Sequence, residues 1–546
     1  MEETKMNQKE RVMQRIYTEG ESKPEDVFKR VADYLGKDKN EKKDFFNLMN
    51  NNYFLPNSPC LVNAGIKDGL GQLNACFVLP IYDSMHSIFE TLQNTALIHK
   101  TGGGTGFNFS NIRPRGSSIK TTGGEASGVV SFMKVYDVAT EQIKQGGVRR
   151  GANMAILNID HPDIFDFLSC KRNENAINNF NISVGIKDSF MKAYFQDADY
   201  DLVYNSKVYK TVKARDLFKQ IVDSMHRNGE PGVVFLDTIN REYKRTTFSN
   251  EIIDATNPCG EAPLLPFESC CLGSINLSQL IEENNYRFDQ VFVENLIDVI
   301  KEGVIFLNRM LEKNNYPLKE NRDITMLNRK IGLGYMGFAD MLIKMGIVYG
   351  SSESVNVALK LSQILDYVSK MQSKKMKFNN VITNAIAPTG TISIIAGCSS
   401  SIEPLFSIKE VIQRMDTTFT NTPPIVDWYA NKHNVSIDSL FDNKLFRLAN
   451  DISWQEHLKI QYGFQKHIDN GVSKTINLPS TASLKDVENI FFSAYSLNLK
   501  GFTVYRDQSR SSQVISKEVK CNKCGQVLID RGGCNLCPNC GGSSCG

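Results

Sequence analysis

The stretch that most constrains this chain is Asn257-Pro258-Cys259-Gly260-Glu261, with a second thiol at Cys270. It sets an amide, a thiol and a carboxylate on alternate residues, so an extended segment or a tight loop can aim all three at one small target. Such a set suits chemistry more than packing. The plain alternatives are a small core cysteine, a metal ligand, or an ordinary turn marked by Asn, Pro and Gly. Metal sites want further Cys or His at short spacing, and only Cys270 and Cys271 follow.

With 546 residues, 41% hydrophobic and 23% charged, the chain is long enough for a sizeable core. Its N-terminus is charged, without an apolar signal-like region, and no uninterrupted apolar run reaches bilayer length. A cytoplasmic protein with no membrane partner is expected. The net charge of +3 sits in the tail, because residues 506–546 hold six basic and three acidic side chains while the other 505 balance, 57 against 57. That leaves no broad electrostatic footprint for nucleic acid, and none is expected as a partner. Six of the 13 cysteines lie in the last 26 residues, a density that points to metal or redox chemistry in a cytosolic protein.

Residues 1–55 read as amphipathic helices, with Val27, Phe28, Val31, Tyr34 and Leu35 at helical spacing, forming a cover or an arm. From Leu55 the texture changes to short apolar strands punctuated by glycine, at 60–64 and 75–79. A helix is expected over 87–99, then the loop Thr101-Gly102-Gly103-Gly104-Thr105-Gly106 and a strand at 107–109. The loop is no nucleotide P-loop, since Phe107-Asn108 follow where Lys-Ser/Thr is needed. Its glycines permit close approach of a ligand or another segment, or make a tight turn.

A helix over 127–144 runs into Gln145-Gly146-Gly147-Val148-Arg149-Arg150-Gly151-Ala152-Asn153, a cationic loop suited to an anion or simply solvated. Gly332-Leu333-Gly334-Tyr335-Met336-Gly337 matches the dinucleotide fingerprint, but 328–331 does not read as a buried strand. Helix packing is the expected use of those glycines. Asn384-Ala385-Ile386-Ala387-Pro388-Thr389-Gly390-Thr391-Ile392-Ser393 is an apolar strand entering small hydroxyl residues. A helix starting there would offer free N–H groups to an anion, or its Thr and Ser would merely cap it. A helical stretch with Trp428 and Trp454 follows, and Val504-Tyr505-Arg506 closes the folded part before a Ser- and Gln-rich linker at 507–520.

The tail carries Cys521-x2-Cys524, Cys534-x2-Cys537, Cys540 and Cys545, the spacing of a small zinc ribbon. Cys521, Cys524, Cys537 and Cys540 make symmetric knuckles around Zn²⁺. The competing set uses Cys534 with Cys537 and releases Cys540 and Cys545. Either way two thiols, drawn from Cys534, Cys540 and Cys545, remain for a mobile redox shuttle.

Together these segments resemble ribonucleotide reductase, specifically the adenosylcobalamin-dependent class II enzyme, from about Asn57 to Arg510. The landmarks are Asn57-Ser58-Pro59, Ala75-Cys76-Phe77-Val78-Leu79-Pro80, the 101–107 loop, 144–153, 257–261 with Cys270, 387–393, and Val504-Tyr505-Arg506-Asp507. The resemblance implies an α/β fold, a ten-stranded barrel of two parallel five-stranded half-sheets with a central finger loop, over residues 56–506. To this it adds the helical region 1–55 without an ATP cone, the linker 507–520 and the Cys-rich tail 521–546.

The resemblance also assigns roles. Cys259 is the thiyl radical that takes the ribose 3′ hydrogen, Glu261 accepts the 3′-hydroxyl proton, and Asn257 hydrogen-bonds the hydroxyls. Cys76 and Cys270 supply two reducing equivalents and end as a disulfide. Ser58 and Thr389, Gly390, Thr391, Ile392 and Ser393 bind substrate. Lys144, Gln145, Arg149 and Arg150 relay the identity of a deoxynucleotide or ATP effector. The implied partners are a ribonucleotide (diphosphate rather than triphosphate), a thioredoxin- or glutaredoxin-type reductant and a second copy of the chain. A single tyrosine in Val504-Tyr505-Arg506 favours the cobalamin class over a class I large subunit, which needs a tyrosine pair and a metal-bearing partner. A zinc-ribbon nucleic-acid-binding protein is the alternative from another class. Two departures stand out: Cys60 replaces the usual threonine and Cys271 the usual asparagine, and both are extra thiols that could compete for Cys76.

Overall fold

The computed structural model describes residues 8–119, 123–145, 149–173, 176–281, 287–414 and 417–509, together with three short strands in the tail. Ten strands organise the body: β1 Phe54–Pro56, β2 Cys76–Val78, β3 Gly104–Asn108, β4 Asn153–Asn158, β5 Phe180–Ile186, β6 Gly232–Phe235, β7 Ser269–Asn276, β8 Ile331–Met336, β9 Thr475–Leu478 and β10 Gly501–Arg506. They form one mixed, mostly parallel sheet in the order β1-β7-β2-β3-β4-β5-β6-β10-β9, with β8 pairing β7.

β2 to β6 run parallel as one set. A second parallel set starts with β7 and β8, passes through residues 384–386 by the Leu333–Asn384 bridge, and reaches Val472 by the bridge from Ile386. It ends with β9 beside β10. The two sets meet antiparallel at β7/β2 and at β6/β10, which closes a ring. β7 and β8 are buried at every residue, as expected of strands covered on both faces.

Helices cover the outside. Pro24–Leu35 starts on a proline and buries Val27, Phe28, Val31, Ala32 and Leu35, while Lys39–Asn50 is capped by Asp38, whose side chain accepts from Asn40 N and Glu41 N. Arg309 on the helix Gln290–Lys313 clamps Glu41 with Nε and Nη2, at 3.0 and 2.8 Å. The guanidinium holds the Glu41 carboxyl below its ordinary range. Among the described residues no helix is long and apolar enough to cross a membrane.

Two local expectations are corrected. Residues 60–64 are not a strand, because Asn57 caps a helix, Ser58–Asn63, with Pro59 in its first turn. Residues 331–336 are not a helix-packing motif but strand β8. A methyl group on Gly332 would stand 2.4 Å from Leu272 Cδ2, and one on Gly334 only 2.2 Å from the Ala385 carbonyl oxygen. The glycines let neighbouring barrel strands close on β8. Only Gly337, at φ +73°, needs the left-handed region.

Candidate active site

The finger is a two-residue ladder, Ala255–Thr256 against Pro263–Leu264, whose connecting turn holds the Asn-x-Cys-x-Glu set. Asn257 builds that turn. Its N–H donates to Ala262 O at 3.1 Å, its carbonyl accepts from Gly260 N at 3.1 Å, and its side-chain oxygen accepts from Ala262 N at 3.0 Å. Gly260 sits at φ +79°, where glycine carries no steric penalty, and a methyl group there would meet nothing within 4 Å. Asn257 and Glu261 are buried, whereas Cys259 between them is exposed. Asn257 Nδ2 has no hydrogen-bond partner among the described residues. A buried donor left so costs about 1–3 kcal/mol, which a ligand hydroxyl would offset.

Glycines in β3 seat the finger. A methyl group on Gly106 would lie 1.8 Å from Thr256 O, and one on Gly104 would lie 3.1 Å from Pro258 Cγ and 3.5 Å from Cys76 Sγ. Asn181 Nδ2 donates to Pro258 O and Asn108 Nδ2 to Asp254 O, each at 2.8 Å. The close approach of another segment, one of the two readings of the glycine loop, is therefore what its second half provides; its last three residues are themselves strand β3.

Cys76 faces Cys270 directly in the antiparallel register of β2 and β7. Residues so opposed have Cα atoms about 4.5–5.5 Å apart, inside the span of about 4.4–6.8 Å that a disulfide bridges. Burial pushes the Cys270 thiol well above its ordinary range, and the nearby charges of Glu261, Cys76, Cys271 and Cys259 push the same way. The finger and the thiol pair thus share one small volume.

The extra thiols lie elsewhere. Cys271 points to the opposite face of β7, where its Sγ donates to Leu307 O at 3.4 Å. It joins Cys60 in the outer core, whereas Cys76 and Cys270 belong to the inner one. Neither departs from a buried, protonated state, because desolvation raises both thiols.

Thr389 takes φ +58° and starts the short helix Gly390–Ala396. Gly390 and Thr391 are exposed, while Ile392 and Ser393 are buried. Thr389 Oγ1 accepts from Ser401 N at 2.7 Å, and the Ser393 and Ser400 hydroxyls are 2.9 Å apart, so part of the hydroxyl set braces the following loop. Strand β1 packs on this helix and leads to Ser58. Lys144–Gln145 pairs antiparallel with Arg149–Arg150 just beyond the helix Val129–Gln142. In the tail, Cys534 and Cys545 are register partners, while Cys521, Cys524, Cys537 and Cys540 lie outside the described residues. A polar cavity of about 560 Å³ between Asp83, Asp160, Lys187 and Tyr204 contains none of the sequence-predicted site residues.

Three positions escaped sequence reasoning. Asn57 stands out in the sequence only as part of a motif, yet its Nδ2 is buried without a partner among the described residues, as Asn257 Nδ2 is. Asn181 and Gly471 hold the finger from outside, and nothing local in their sequence marks them.

The description "Ribonucleotide reductase, barrel domain" matches residues 74–377 and 374–505, and "Ribonucleotide reductase, all-alpha domain" matches residues 7–69. This chain belongs to the ribonucleotide reductase family. A curated family member from Thermoplasma acidophilum, named a vitamin B12-dependent ribonucleoside-diphosphate reductase, is 43% identical over 86% of this chain and 66% of its own length. One of the same name from Mycobacterium tuberculosis is 38% identical over 92% of this chain and 76% of its own. The chain thus spans about two thirds to three quarters of those reductases. The solved alpha subunit of the Actinobacillus ureae class Id reductase shares the fold, with TM-score 0.75 at 21% identity over 92% of this chain and 96% of that one.

Proposed function

We propose that the chain reduces ribonucleoside diphosphates to 2′-deoxyribonucleoside diphosphates, with adenosylcobalamin as radical source. The observation that carries the reading is the facing pair Cys76 and Cys270 beneath a finger that exposes Cys259 and buries Asn257 and Glu261. Open space over Gly260 fits the approach of a bulky group to Cys259. Adenosylcobalamin, when bound, supplies the radical that removes the thiol hydrogen atom.

The residues then divide the work. The Cys259 sulfur takes the 3′ hydrogen atom from ribose and returns it at the end, so the product keeps that hydrogen. Glu261 accepts the 3′-hydroxyl proton while Asn257 Nδ2 donates to a hydroxyl oxygen. The 2′ C–O bond breaks and the hydroxyl leaves as water. Cys76 and Cys270 give two electrons and two protons and close a disulfide. A thioredoxin- or glutaredoxin-type dithiol reopens it through the tail cysteines by exchange.

The exposed Gly390 and Thr391, together with Ser58, receive the phosphates. Lys144, Gln145, Arg149 and Arg150 read an effector nucleotide. A second copy of the chain covers the exposed Met85, Phe89 and Leu97 of the helix Met85–Lys100 and Val135 and Val138 of its neighbour, which Tyr136 ties in by a 2.5 Å bond to Ile88 O. Zn²⁺ on four tail thiolates completes the reading.

The test is anaerobic turnover of ribonucleoside diphosphates with adenosylcobalamin and a dithiol, wild type beside Cys259→Ser. Deoxynucleotide from the wild type alone is expected. A wild type silent with cobalamin but active with a metal-bearing partner subunit would move the chain to class I.

A further inference from the structure

The finger is gripped on its second side by a turn with no regular structure, residues 468–471. Gly471 N donates to Glu261 O at 2.7 Å, and Gly471 O accepts from Ile386 N at 3.2 Å. A methyl group on Gly471 would stand 2.6 Å from Gly260 O and 2.9 Å from Glu261 Cα. The backbone of Glu261, and Cys259 two residues before it, is therefore set by where this turn lies.

A buried cation fixes the turn. Lys500, 7% exposed, precedes β10 and directs its Nζ to three successive carbonyls, Ile468 O at 3.3 Å, Asp469 O, and Asn470 O at 2.7 Å. An ammonium has three N–H donors, one for each. Gln465 Nε2 supports the same turn at Ile468 O and Asn470 O, both at 3.1 Å, and Asn384 Oδ1 accepts from Asp469 N at 2.7 Å.

The geometry points to Lys500 as a positioning residue for the finger: its ammonium gathers the 468–470 carbonyls and thereby holds the Gly471 N–H on Glu261. It touches neither substrate nor cofactor. Its catalytic consequence rests on the reading of Cys259 and Glu261 given above; the clamp itself does not.

Several charges face the ammonium. Asp469 lies on the turn, Glu242 and Arg245 on the helix Leu236–Thr247, and Lys370 on the helix Ser352–Lys375. Asp366 and Asp469 neutralise Lys370, at 2.5 and 2.8 Å, and His467 adjoins that group. Burial pulls Lys500 down to about 8, against which Asp469 and Glu242 push up. A neutral amine has two N–H donors for three carbonyls, so the clamp loosens as pH rises through that value.

The sign separates this from alkaline unfolding. A lysine that loses its proton earlier in the folded chain than in the unfolded one makes the fold relatively more stable as pH rises between about 8 and 10.5. Local loosening and global stability move in opposite directions.

The measurement is amide exchange of the full chain in the peptide covering Gly471, from about pH 6.5 to about pH 9.5 and corrected for the intrinsic rate, with Lys500→Met and Lys500→Arg alongside. The wild type should lose protection with a midpoint near 8, Lys500→Arg should carry that midpoint above the range, and Lys500→Met should lack protection throughout. In the holoenzyme, Lys500→Met should lose about 10²-fold in kcat, as a small misplacement does, with KM within about threefold. Protection at Gly471 in Lys500→Met equal to wild type overturns the clamp, as does a loss of protection in Lys500→Arg at the wild-type midpoint. Lost protection with unchanged kcat overturns the positioning role. A wild type without turnover would fail the assigned reaction instead, and the exchange profile would still decide the clamp.

Discussion

At the scale of single residues, the site rests on which way each side chain faces along β7. Cys270 looks inward at Cys76 and Cys271 outward at Leu307 O, the ordinary alternation of a strand. One wild-type turnover without external dithiol should therefore leave a Cys76–Cys270 disulfide, detected by peptide mapping under non-reducing conditions. Cys271→Ala should leave turnover within about twofold, since it changes only an outward contact. A Cys271-containing bridge in the map would remove the assignment. For Glu261→Gln, a fall of roughly 10²–10⁴-fold in kcat is expected at little change in KM, because the amide cannot take the proton. A raised KM at unchanged kcat would instead make Glu261 a binding group.

At the scale of elements, glycine decides where segments can meet. Gly106→Ala puts a methyl group 1.8 Å from the backbone oxygen of Thr256, which cannot rotate aside, so the finger must move. Activity should drop far more than the thermal midpoint; the opposite pattern would mean that β3, not the finger, gives way. This is also where sequence reasoning reached its limit. The finger triad was legible because three reactive groups on alternate residues have few packing uses. Strand β8 is not legible as a strand because its glycines matter only against Leu272 and Ala385, which arrive from distant sequence. Residues 60–64 looked like a strand by composition, and the Asn57 cap with Pro59 overrode it. Gly471, Asn181 and Lys500 gain their roles only from the register of the closed ring.

At the scale of the whole molecule, buried ionisable groups set how the fold answers to pH. Lys330 and Glu268, 3% and 2% exposed, pair at 2.6 Å beside the thiol strand, and Asn328 and Leu265 N complete the carboxylate's shell. Replacing Lys330 by Met strands that carboxylate and should destabilise the fold by about 3–5 kcal/mol. His457 acts over a wider pH span. It is fully buried, its Nε2 meets Ala449 O at 3.0 Å, and burial holds it neutral, down to about 3 from an ordinary 6.5. The unfolded chain thus binds a proton that the folded chain refuses, and stability falls as pH drops from about 6.5 toward 3. Glu456, held down to about 2 chiefly against its burial by Arg447, adds its own loss only below its ordinary 4.5. The upper part of the acid limb, between those two ordinary values, should therefore be shallower in His457→Gln, where buried His161 and half-buried His467 still act in the same direction, and persist in full in Glu456→Gln. Thermal midpoints of the two variants across that interval separate the contributions, and a His457→Gln curve parallel to wild type would place the acid sensitivity elsewhere.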